Sequence, residues 1–339
     1  MDSNRVEITA TFPEPKPASR RRVRLGYVLA ALCLVWVFYD IQPARLWNQI
    51  GDIHWGLVVL AVAIDILAFV CQGLRWQLLL RPLGQTSVWK ATEAVYAGLF
   101  VNEVSPLRAG EALRIFLMAR RLKVPVLAVV STVTIERLFD GIWVALGIAM
   151  ISLSIPLPRP LLRAANIFDI VLFGAILVFL ALALHRPAAA TPAPGAPRSK
   201  FWQWIGSSWQ HFRTGLHQVS FSSHFFFSWG VSLFVMFFQA LSFWLLARAY
   251  GLHLSFWAGV AVFIIVLLGT AIPNTPGNVG AYQFFTVVGL SIFGVEKTLA
   301  TGFSVVAFVL LTAPLLLLGF VAVTRSGLTL TTLRTKLAS

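Results

Sequence analysis

Residues 98–114 of the chain read Gly98-Leu-Phe-Val-Asn102-Glu-Val-Ser-Pro106-Leu-Arg108-Ala-Gly110-Glu111-Ala-Leu-Arg114. This stretch places charged side chains, a proline and a glycine between two apolar runs. Non-helical backbone is tolerated within the hydrocarbon of a bilayer only where protein or a water-filled cavity satisfies its N–H and C=O groups. The stretch therefore predicts a polar cavity at membrane depth.

A second break lies far down the chain, in Gly269-Thr-Ala-Ile-Pro273-Asn274-Thr-Pro276-Gly277-Asn278-Val-Gly280. The spacing Ser-Pro-x-x-x-Gly of residues 105–110 recurs there as Thr-Pro-x-x-x-Gly. Paired interrupted segments in the two halves of a membrane protein point to a transport site. The alternative is a plain extracellular turn, but the flanking runs 260–268 and 284–290 are too apolar for an exposed loop.

The composition indicates a polytopic membrane protein. Of the 339 residues, 58% are hydrophobic and only 12% are charged, against about 25% charged residues in soluble domains. The net charge of +14 comes from basic residues beside apolar runs, which indicates topology signals and anionic-lipid contacts rather than nucleic-acid binding. The scattered histidines predict no metal site, and no nucleophilic constellation is visible. We therefore expect neither a cofactor nor covalent catalysis.

The apolar runs predict an all-α membrane protein with about six spans and two re-entrant helical hairpins. The expected spans cover residues 25–39, 55–80, 124–154, 167–184, 225–247 and 299–323, and the hairpins lie near 91–119 and 256–293. Residues 124–154 fit either one long tilted helix or an interfacial helix followed by a span. Because the two halves repeat this order in opposite orientations, they predict an inverted repeat.

The basic residues predict the orientation in the membrane. Arg75, Arg81 and Lys90 form a cluster at the cytoplasmic end of the second span. Residues 1–24 are expected to be a disordered basic tail and residues 25–185 the first membrane half. Residues 186–224 are expected to form a linker with an amphipathic interfacial helix, 225–324 the rest of the second half, and 325–339 a second basic tail. Both termini are then cytoplasmic, in a multi-pass protein of the bacterial inner membrane.

Asp65 is an ionisable residue inside a predicted span. Such a residue costs about 2.5–3.5 kcal/mol on insertion scales, so it is retained when it is paired or useful. One interpretation is a substrate-binding or transport role. The other is an ion pair with an arginine of the first hairpin that only locks two helices together.

The charged residues after the first break have two interpretations. Arg108, Glu111 and Arg114 are three residues apart, which places them on one face of a helix. Arg108 is the candidate anion clamp, because a guanidinium binds phosphate through two hydrogen bonds. The alternative is an ordinary row of surface ion pairs at the cytoplasmic rim.

A second charged motif, Glu136-Arg137-Leu-Phe-Asp140, places two carboxylates one turn apart. They could neutralise Arg108 or Arg114 or relay protons, or they could fix the packing of two helices. In the second break, Asn274, Asn278 and Gln283 are predicted to supply neutral hydrogen bonds to a lipid headgroup. The predicted structural breakers are Pro106, Gly110, Pro273, Pro276, Gly277 and Gly280.

Four separated motifs resemble one family, the lysylphosphatidylglycerol synthase transmembrane-region family. They are Arg75-Trp76, NEVSPLRAGEALR (102–114), ERLFD (136–140) and IPNTPGNVGAYQFF (272–285). The same flippase-like domain occurs in the multiple peptide resistance factor of bacteria. The resemblance implies a lipid translocator with two re-entrant helical pairs. It marks as functional Asn102, Pro106, Arg108, Gly110, Glu111, Arg114, Glu136, Arg137, Asp140, Pro276, Gly277 and Gly280. Many members carry a charged residue where this chain has Tyr282 and Gln283, so the cargo can differ.

The sequence-based hypothesis is therefore a flippase-like translocator of a lipid headgroup. The cargo is a phospholipid, a hopanoid or a polyprenyl-linked lipid, and a homo-oligomer or a partner synthase is possible. Two other hypotheses stay open: a non-transporting scaffold that delivers lipid to a synthase, and a membrane-embedded transferase that acts on a lipid carrier.

Overall fold

The computed structural model describes residues 20–39, 41, 51–105, 109–156, 158–184, 200–220, 222–271 and 276–326. These residues form eleven α-helices, and no strand occurs among them. The helices are α1 (Arg20–Phe38), α2 (Trp55–Leu80), α3 (Val88–Val104), α4 (Ala109–Leu122), α5 (Val126–Ser154), α6 (Arg159–Leu184), α7 (Lys200–Ser220), α8 (Ser223–Ala249), α9 (Phe256–Gly269), α10 (Ala281–Ile292) and α11 (Lys297–Arg325).

Five helices within these ranges are long and apolar enough to cross a membrane, namely α2, α5, α6, α8 and α11. Six spans were predicted, and the remaining one is α1, whose described apolar part, Tyr27–Phe38, is shorter. Because α1 begins at Arg20, the basic run 20–24 is helical and not part of the disordered tail that was predicted. The rest of that tail, the linker 185–199 and the C-terminal tail from 327 lie outside the described residues.

The long apolar run after the first hairpin is one helix. Helix α5 has 29 residues, or about 44 Å at 1.5 Å per residue, which exceeds the hydrocarbon thickness of about 30 Å. The predicted amphipathic helix is α7, whose Leu216 and Val219 are buried in one apolar cluster with Ile135 and Phe139 of α5. Helix α7 therefore packs along α5, whereas its position at the membrane interface stays a prediction.

The two broken segments each form a pair of packed helices. In the first pair, α3 and α4 approach so closely that a methyl group at Gly110 would overlap the carbonyl oxygen of Gly98. Asn102 Oδ1 accepts a hydrogen bond of 2.9 Å from the Gly110 N–H, which ties the two helices together next to the break. The missing side chain of Gly110 thus permits the close approach of α3 and α4.

In the second pair, α9 and α10 are joined through a short 3-10 turn, Pro276–Asn278. Gly277 and Gly280 have φ of +65° and +90°, values that glycine adopts at little cost because it has no Cβ. The 3-10 turn lies against α3, with Gly277 beside the carboxylate of Glu103. The two pairs therefore meet at their breaks, while their re-entrant position in a membrane and the inverted repeat stay predictions.

A central pair of long helices supports both broken segments. Helices α2 and α8 pack side by side, and the Ser242 hydroxyl donates to the Ala61 carbonyl at 2.8 Å. The Ser228 hydroxyl donates to the Arg75 carbonyl at 3.2 Å. Helix α3 packs on α2, and α9 packs on α8. Each broken segment is therefore packed against one helix of the central pair.

Candidate functional site

A cavity of about 430 Å³ lies between the two broken segments and helices α2, α5 and α8. Both breaks contribute to its wall, the first through Asn102 and Glu111 and the second through Thr270 and Asn278. Its polar lining consists of Gln72, Arg75, Asn102, Glu103, Glu111, Arg137, Asp140, Ser232, Gln239, Thr270 and Asn278. Apolar side chains such as Phe69, Trp143 and Met236 complete the wall.

The charged side chains next to the cavity include a buried ion-pair cluster. Arg75 is 1% exposed and donates to Glu136 at 3.1 Å and to Asp140. Glu136 is fully buried, and its other carboxylate oxygen lies 3.0 Å from Nη2 of Arg114. Burial of such charges is costly unless each has an opposite charge nearby, so Glu136 holds two buried arginines from two other helices in place.

The same network continues outward to the rim of the cavity. Arg137 is 52% exposed and pairs with Glu111 of α4 and, at 3.3 Å, with Asp140 one turn further along α5. The ion pairs thus form one row, Glu111, Arg137, Asp140, Arg75, Glu136 and Arg114. Its three arginines balance its three carboxylates. The row places both positive and negative side chains at the cavity. Its buried end, Glu136 and Arg114, lies on the side of Arg75 away from the cavity.

Trp76 orients the innermost arginine. The guanidinium carbon of Arg114 lies 4.8 Å from the centre of the Trp76 ring, and the indole Nε1–H donates to Thr132 Oγ1 at 3.0 Å. The indole is fully buried. The hydrogen bond fixes the ring plane under Arg114, so the arginine is held by a cation–π contact on one side and by Glu136 on the other.

Two amide side chains in the cavity wall are available for a ligand. Gln72 of α2 and Gln239 of α8 both line the cavity, and neither makes a hydrogen bond or other polar contact to any residue in the described part of the chain. A primary amide offers two N–H donors and a carbonyl acceptor. The pair can therefore bind polar groups of either kind that enter the cavity.

The structure brings many of the sequence-predicted site residues together. Asn102, Glu111, Arg137, Asp140 and Asn278 line the cavity. Glu136 and Arg114 lie behind it, as the buried end of the ion-pair row. Glu136 does neutralise Arg114, one of the two arginines considered as its partner.

The remaining predicted residues are elsewhere. Arg108, Asn274, Pro106 and Pro273 lie outside the described residues. Gln283 is buried away from the cavity lining, and its side-chain oxygen accepts a hydrogen bond of 2.8 Å from the Gly280 N–H at the start of α10. Its observed contact is therefore a helix cap. Asp65 is not part of the cavity lining either.

Sequence reasoning missed Arg75 as a site residue. It was grouped with Arg81 and Lys90 as a cytoplasmic anchor, but only those two are exposed, whereas Arg75 is buried among carboxylates. Its neighbour Trp76 and its place in the Arg-Trp motif were the available signal. Five other polar residues of the cavity wall were also missed, namely Gln72, Glu103, Ser232, Gln239 and Thr270. Gln239 carried no signal within the apolar run of α8.

Comparison with known proteins shows that most of the chain matches one protein family. The sequence profile of the family described as Lysylphosphatidylglycerol synthase TM region matches residues 23–319. A UPF0104 membrane protein of Methanothermobacter thermautotrophicus is 22% identical over 83% of this chain and 86% of its own length. A UPF0104 membrane protein of Methanocaldococcus jannaschii is 24% identical over 72% of this chain and 76% of its own length.

A third similarity covers only part of each chain. The protein named Glycosyltransferase AglD of Haloferax volcanii is 28% identical over 144 residues, which are 41% of this chain and 23% of that protein. The chain therefore spans less than a quarter of the length of this relative. The similarity places a related segment within a larger protein.

Proposed function

Because the chain belongs to the lysylphosphatidylglycerol synthase transmembrane-region family, we propose that it is a lipid translocator of the cytoplasmic membrane. In this proposal the polar headgroup enters the cavity between the two broken segments while the acyl or polyprenyl chains remain in the bilayer. No covalent step is required, so the protein acts as a transporter and not as an enzyme. The cargo class is a phospholipid, a hopanoid or a polyprenyl-linked lipid.

The observation that carries the proposal is the cavity that both breaks line. Its volume of about 430 Å³ lies in the range of small-molecule sites, about 300–1,000 Å³. A headgroup that leaves water must exchange its hydration for protein groups, because unsatisfied polar groups in an apolar medium cost several kcal/mol. The ion-pair row and the amides of Gln72 and Gln239 offer donors and acceptors for that exchange.

The arrangement of the lining also supports alternating access. The cavity wall combines residues of the first broken segment, the second broken segment and the central helices α2 and α8. Transporters with broken helices bind substrate where such segments meet, and one part rocks against the other around that site. We therefore infer that headgroup binding and release accompany relative movement of the two broken segments.

One observation favours a second candidate function. The partial relative from Haloferax volcanii is named a glycosyltransferase, which keeps a transferase acting on a lipid carrier as an alternative. The alternative predicts a lipid product of changed mass, whereas translocation leaves the mass unchanged. A non-transporting scaffold predicts neither a new product nor lipid movement.

A vesicle assay with the purified full-length chain tests the proposal. Fluorescent phospholipids and polyprenyl phosphates are placed in one leaflet, and their movement is measured for the wild type, Gln72→Leu and Gln239→Leu. A hydrogen bond to a charged group contributes about 1.5–3 kcal/mol, so we expect each variant to slow movement by about tenfold or more. Gln210→Leu, which changes an exposed glutamine of α7, serves as the matched control.

Arg108→Ala, which the sequence marks as the anion clamp, extends the same assay. Movement that depends on Gln72, Gln239 and Arg108 but not on Gln210 supports the translocator. Equal rates for all four variants and the wild type contradict it, because the cavity would then not be on the path. A lipid of changed mass in the vesicles assigns the transferase instead.

A further inference from the structure

Asp65 lies within the span α2, yet no opposite charge pairs with it in the described part of the chain. It makes no hydrogen bond or ion pair with any described residue. A charged residue at this depth is expected to be paired, as Arg75 is on the same helix. The predicted pairing of Asp65 with an arginine of the first hairpin does not occur among the described residues, because Arg114 and Arg121 of α4 pair with Glu136 and Glu93.

Two buried hydroxyl groups lie within electrostatic range of Asp65. They belong to Tyr96 of α3 and Tyr282 of α10. Tyr96 is only 6% exposed, and neither phenolic oxygen has a hydrogen-bond partner. A buried hydroxyl group without a hydrogen bond is unfavourable, so each of these groups favours a partner that can accept a hydrogen bond from it. Three polar groups with unused hydrogen-bonding capacity therefore come from three different helices.

An aromatic contact separates this cluster from the headgroup cavity. Phe69 follows Asp65 by one turn on the same face of α2, and Phe69 lines the cavity. The ring of Tyr96 packs against Phe69 with centroids 5.6 Å apart. Asp65 thus lies one helical turn outside the cavity, on the same face of α2 as Phe69. The contact between Phe69 and Tyr96 lies between Asp65 and the cavity.

The titratable residues of the surrounding helices are few. Helix α8 carries only His224 and Arg248, and α11 carries only Lys297 and Arg325; all four are at helix ends. Tyr282 is the only titratable residue of α10. The charged residues of α5 belong to the ion-pair row. On α3, Lys90 is exposed in the first turn, Glu93 pairs with Arg121, and Glu103 lines the cavity. On α2 itself the other titratable groups are Cys71 and Arg75. No cation in these described helices is therefore positioned to neutralise Asp65.

We propose that Asp65, with Tyr96 and Tyr282, is the proton-binding site that couples lipid movement to a proton gradient. The inference rests on the proposed translocator and adds its energy source. A proton suits the site because a single carboxylate with two phenols supplies fewer ligands than the six to eight oxygens of a calcium site. Water on one side of the membrane supplies the proton, an Asp65 oxygen binds it, and water on the other side accepts it; no other bond changes.

The position of the three groups explains how binding can be coupled to movement. Tyr96 belongs to the first broken segment, Tyr282 to the second, and Asp65 to the central helix between them. Neither phenol donates to Asp65 in the structure; in the proposed cycle the ionised carboxylate accepts hydrogen bonds from both phenols, which holds the two segments toward α2. A protonated carboxyl is a weaker acceptor, so proton binding releases the segments to rock around the cavity.

The principal test measures lipid movement by the full-length chain in vesicles with and without an imposed pH gradient. The ratio of the two rates normalises each variant to its own gradient-free rate. We expect a ratio of several-fold for the wild type, a ratio of one for Asp65→Asn, and a ratio above one for Asp65→Glu, which keeps the carboxyl. Asp169→Asn, which changes an exposed aspartate of α6, is the matched control and should retain the wild-type ratio.

Two outcomes of this test overturn the proposal. One is a gradient response by Asp65→Asn that equals the wild type, and the other is lipid movement by the wild type that is independent of the pH gradient. In the second case, a response to a sodium gradient at equal pH assigns a sodium site instead.

A second measurement does not depend on lipid movement. An infrared pH titration of the purified protein detects the carbonyl band of a protonated carboxyl group. We expect a pH-dependent band in the wild type and in Asp169→Asn that is absent from Asp65→Asn. If no lipid moves but this band is present, the translocator fails and the proton site stands. If Asp65→Asn leaves the band unchanged, Asp65 is not the proton site.

Discussion

Replacement of Glu136 by glutamine tests whether the buried ion-pair row holds the helices around the cavity together. Glu136 is fully buried, and its carboxylate is shared between Arg75 at 3.1 Å and Arg114 at 3.0 Å. Glutamine has nearly the same shape but no charge. The substitution therefore leaves the packing volume in place and removes the negative charge that neutralises the two arginines.

The expected cost follows from the burial of the partners. Arg114 has no other carboxylate partner among the described residues, whereas Arg75 keeps Asp140. One buried guanidinium is therefore left without a counter-charge. Breaking a buried ion pair by removing one partner costs about 3–5 kcal/mol. We expect the free energy of unfolding of Glu136→Gln to fall by that amount.

The matched control is Glu93→Gln. Glu93 pairs with Arg121 at 3.1 Å, but these side chains are 21% and 31% exposed. Pairs nearer to water contribute about 0.2–1 kcal/mol, so this variant should lose under about 1 kcal/mol. The assay is reversible unfolding in mixed micelles, followed by tryptophan fluorescence, for the wild type and both variants.

A double variant separates charge from shape. With Arg114→Met added, Glu136→Gln no longer strands Arg114, so the two substitutions together should cost about 0.5–3 kcal/mol less than the sum of the single costs. If Glu136→Gln loses no more stability than Glu93→Gln, or if the double variant is strictly additive, the buried row does not stabilise the fold as we argue.

Two further predictions concern packing next to the site. Gly110→Ala should lower the free energy of unfolding by about 1–3 kcal/mol, because the added methyl group meets the Gly98 carbonyl. The control is Gly174→Ala on α6, where no atom lies within 4 Å of the added methyl group; it should be neutral or stabilising by up to about 1 kcal/mol. Equal costs for the two variants would contradict the close approach of α3 and α4. Trp76→Phe should cost about 1–3 kcal/mol through the lost bond to Thr132 and the weaker contact with Arg114. The control Trp209→Phe, at a half-exposed site, should change the free energy of unfolding by no more than about 0.5 kcal/mol in the same assay. A cost as small as this for Trp76→Phe would show that the indole does not stabilise the ion-pair row.

The positions of the helices could be read largely from local sequence. The predicted span 55–80 is helix α2 to the residue, and α8 and α11 differ from their predicted bounds by only a few residues. Apolar runs and the breakers Pro276, Gly277 and Gly280 act within a few residues of themselves, so hydropathy and backbone preference are enough to locate them.

Other local features could not be settled from the sequence. Whether 124–154 is one helix or two depends on packing partners along its length, and the structure gives one helix, α5, with α7 packed along it. The start of α6 at Arg159 was placed too late, at residue 167, because a helix that extends past the apolar run loses its hydropathy signal.

The sequence by itself determined that this is an all-α membrane protein of a recognisable family, with two breaks that carry its polar residues. Only the tertiary structure decided which charges meet. Arg75 is 61 and 65 residues from its partners Glu136 and Asp140, and no periodicity links positions that far apart. The same is true of Asp65, whose lack of an ionic partner depends on where α3, α8 and α11 place their own charges. Pairing of buried charges is a property of distances between helices, and sequence patterns report only the faces that each helix presents.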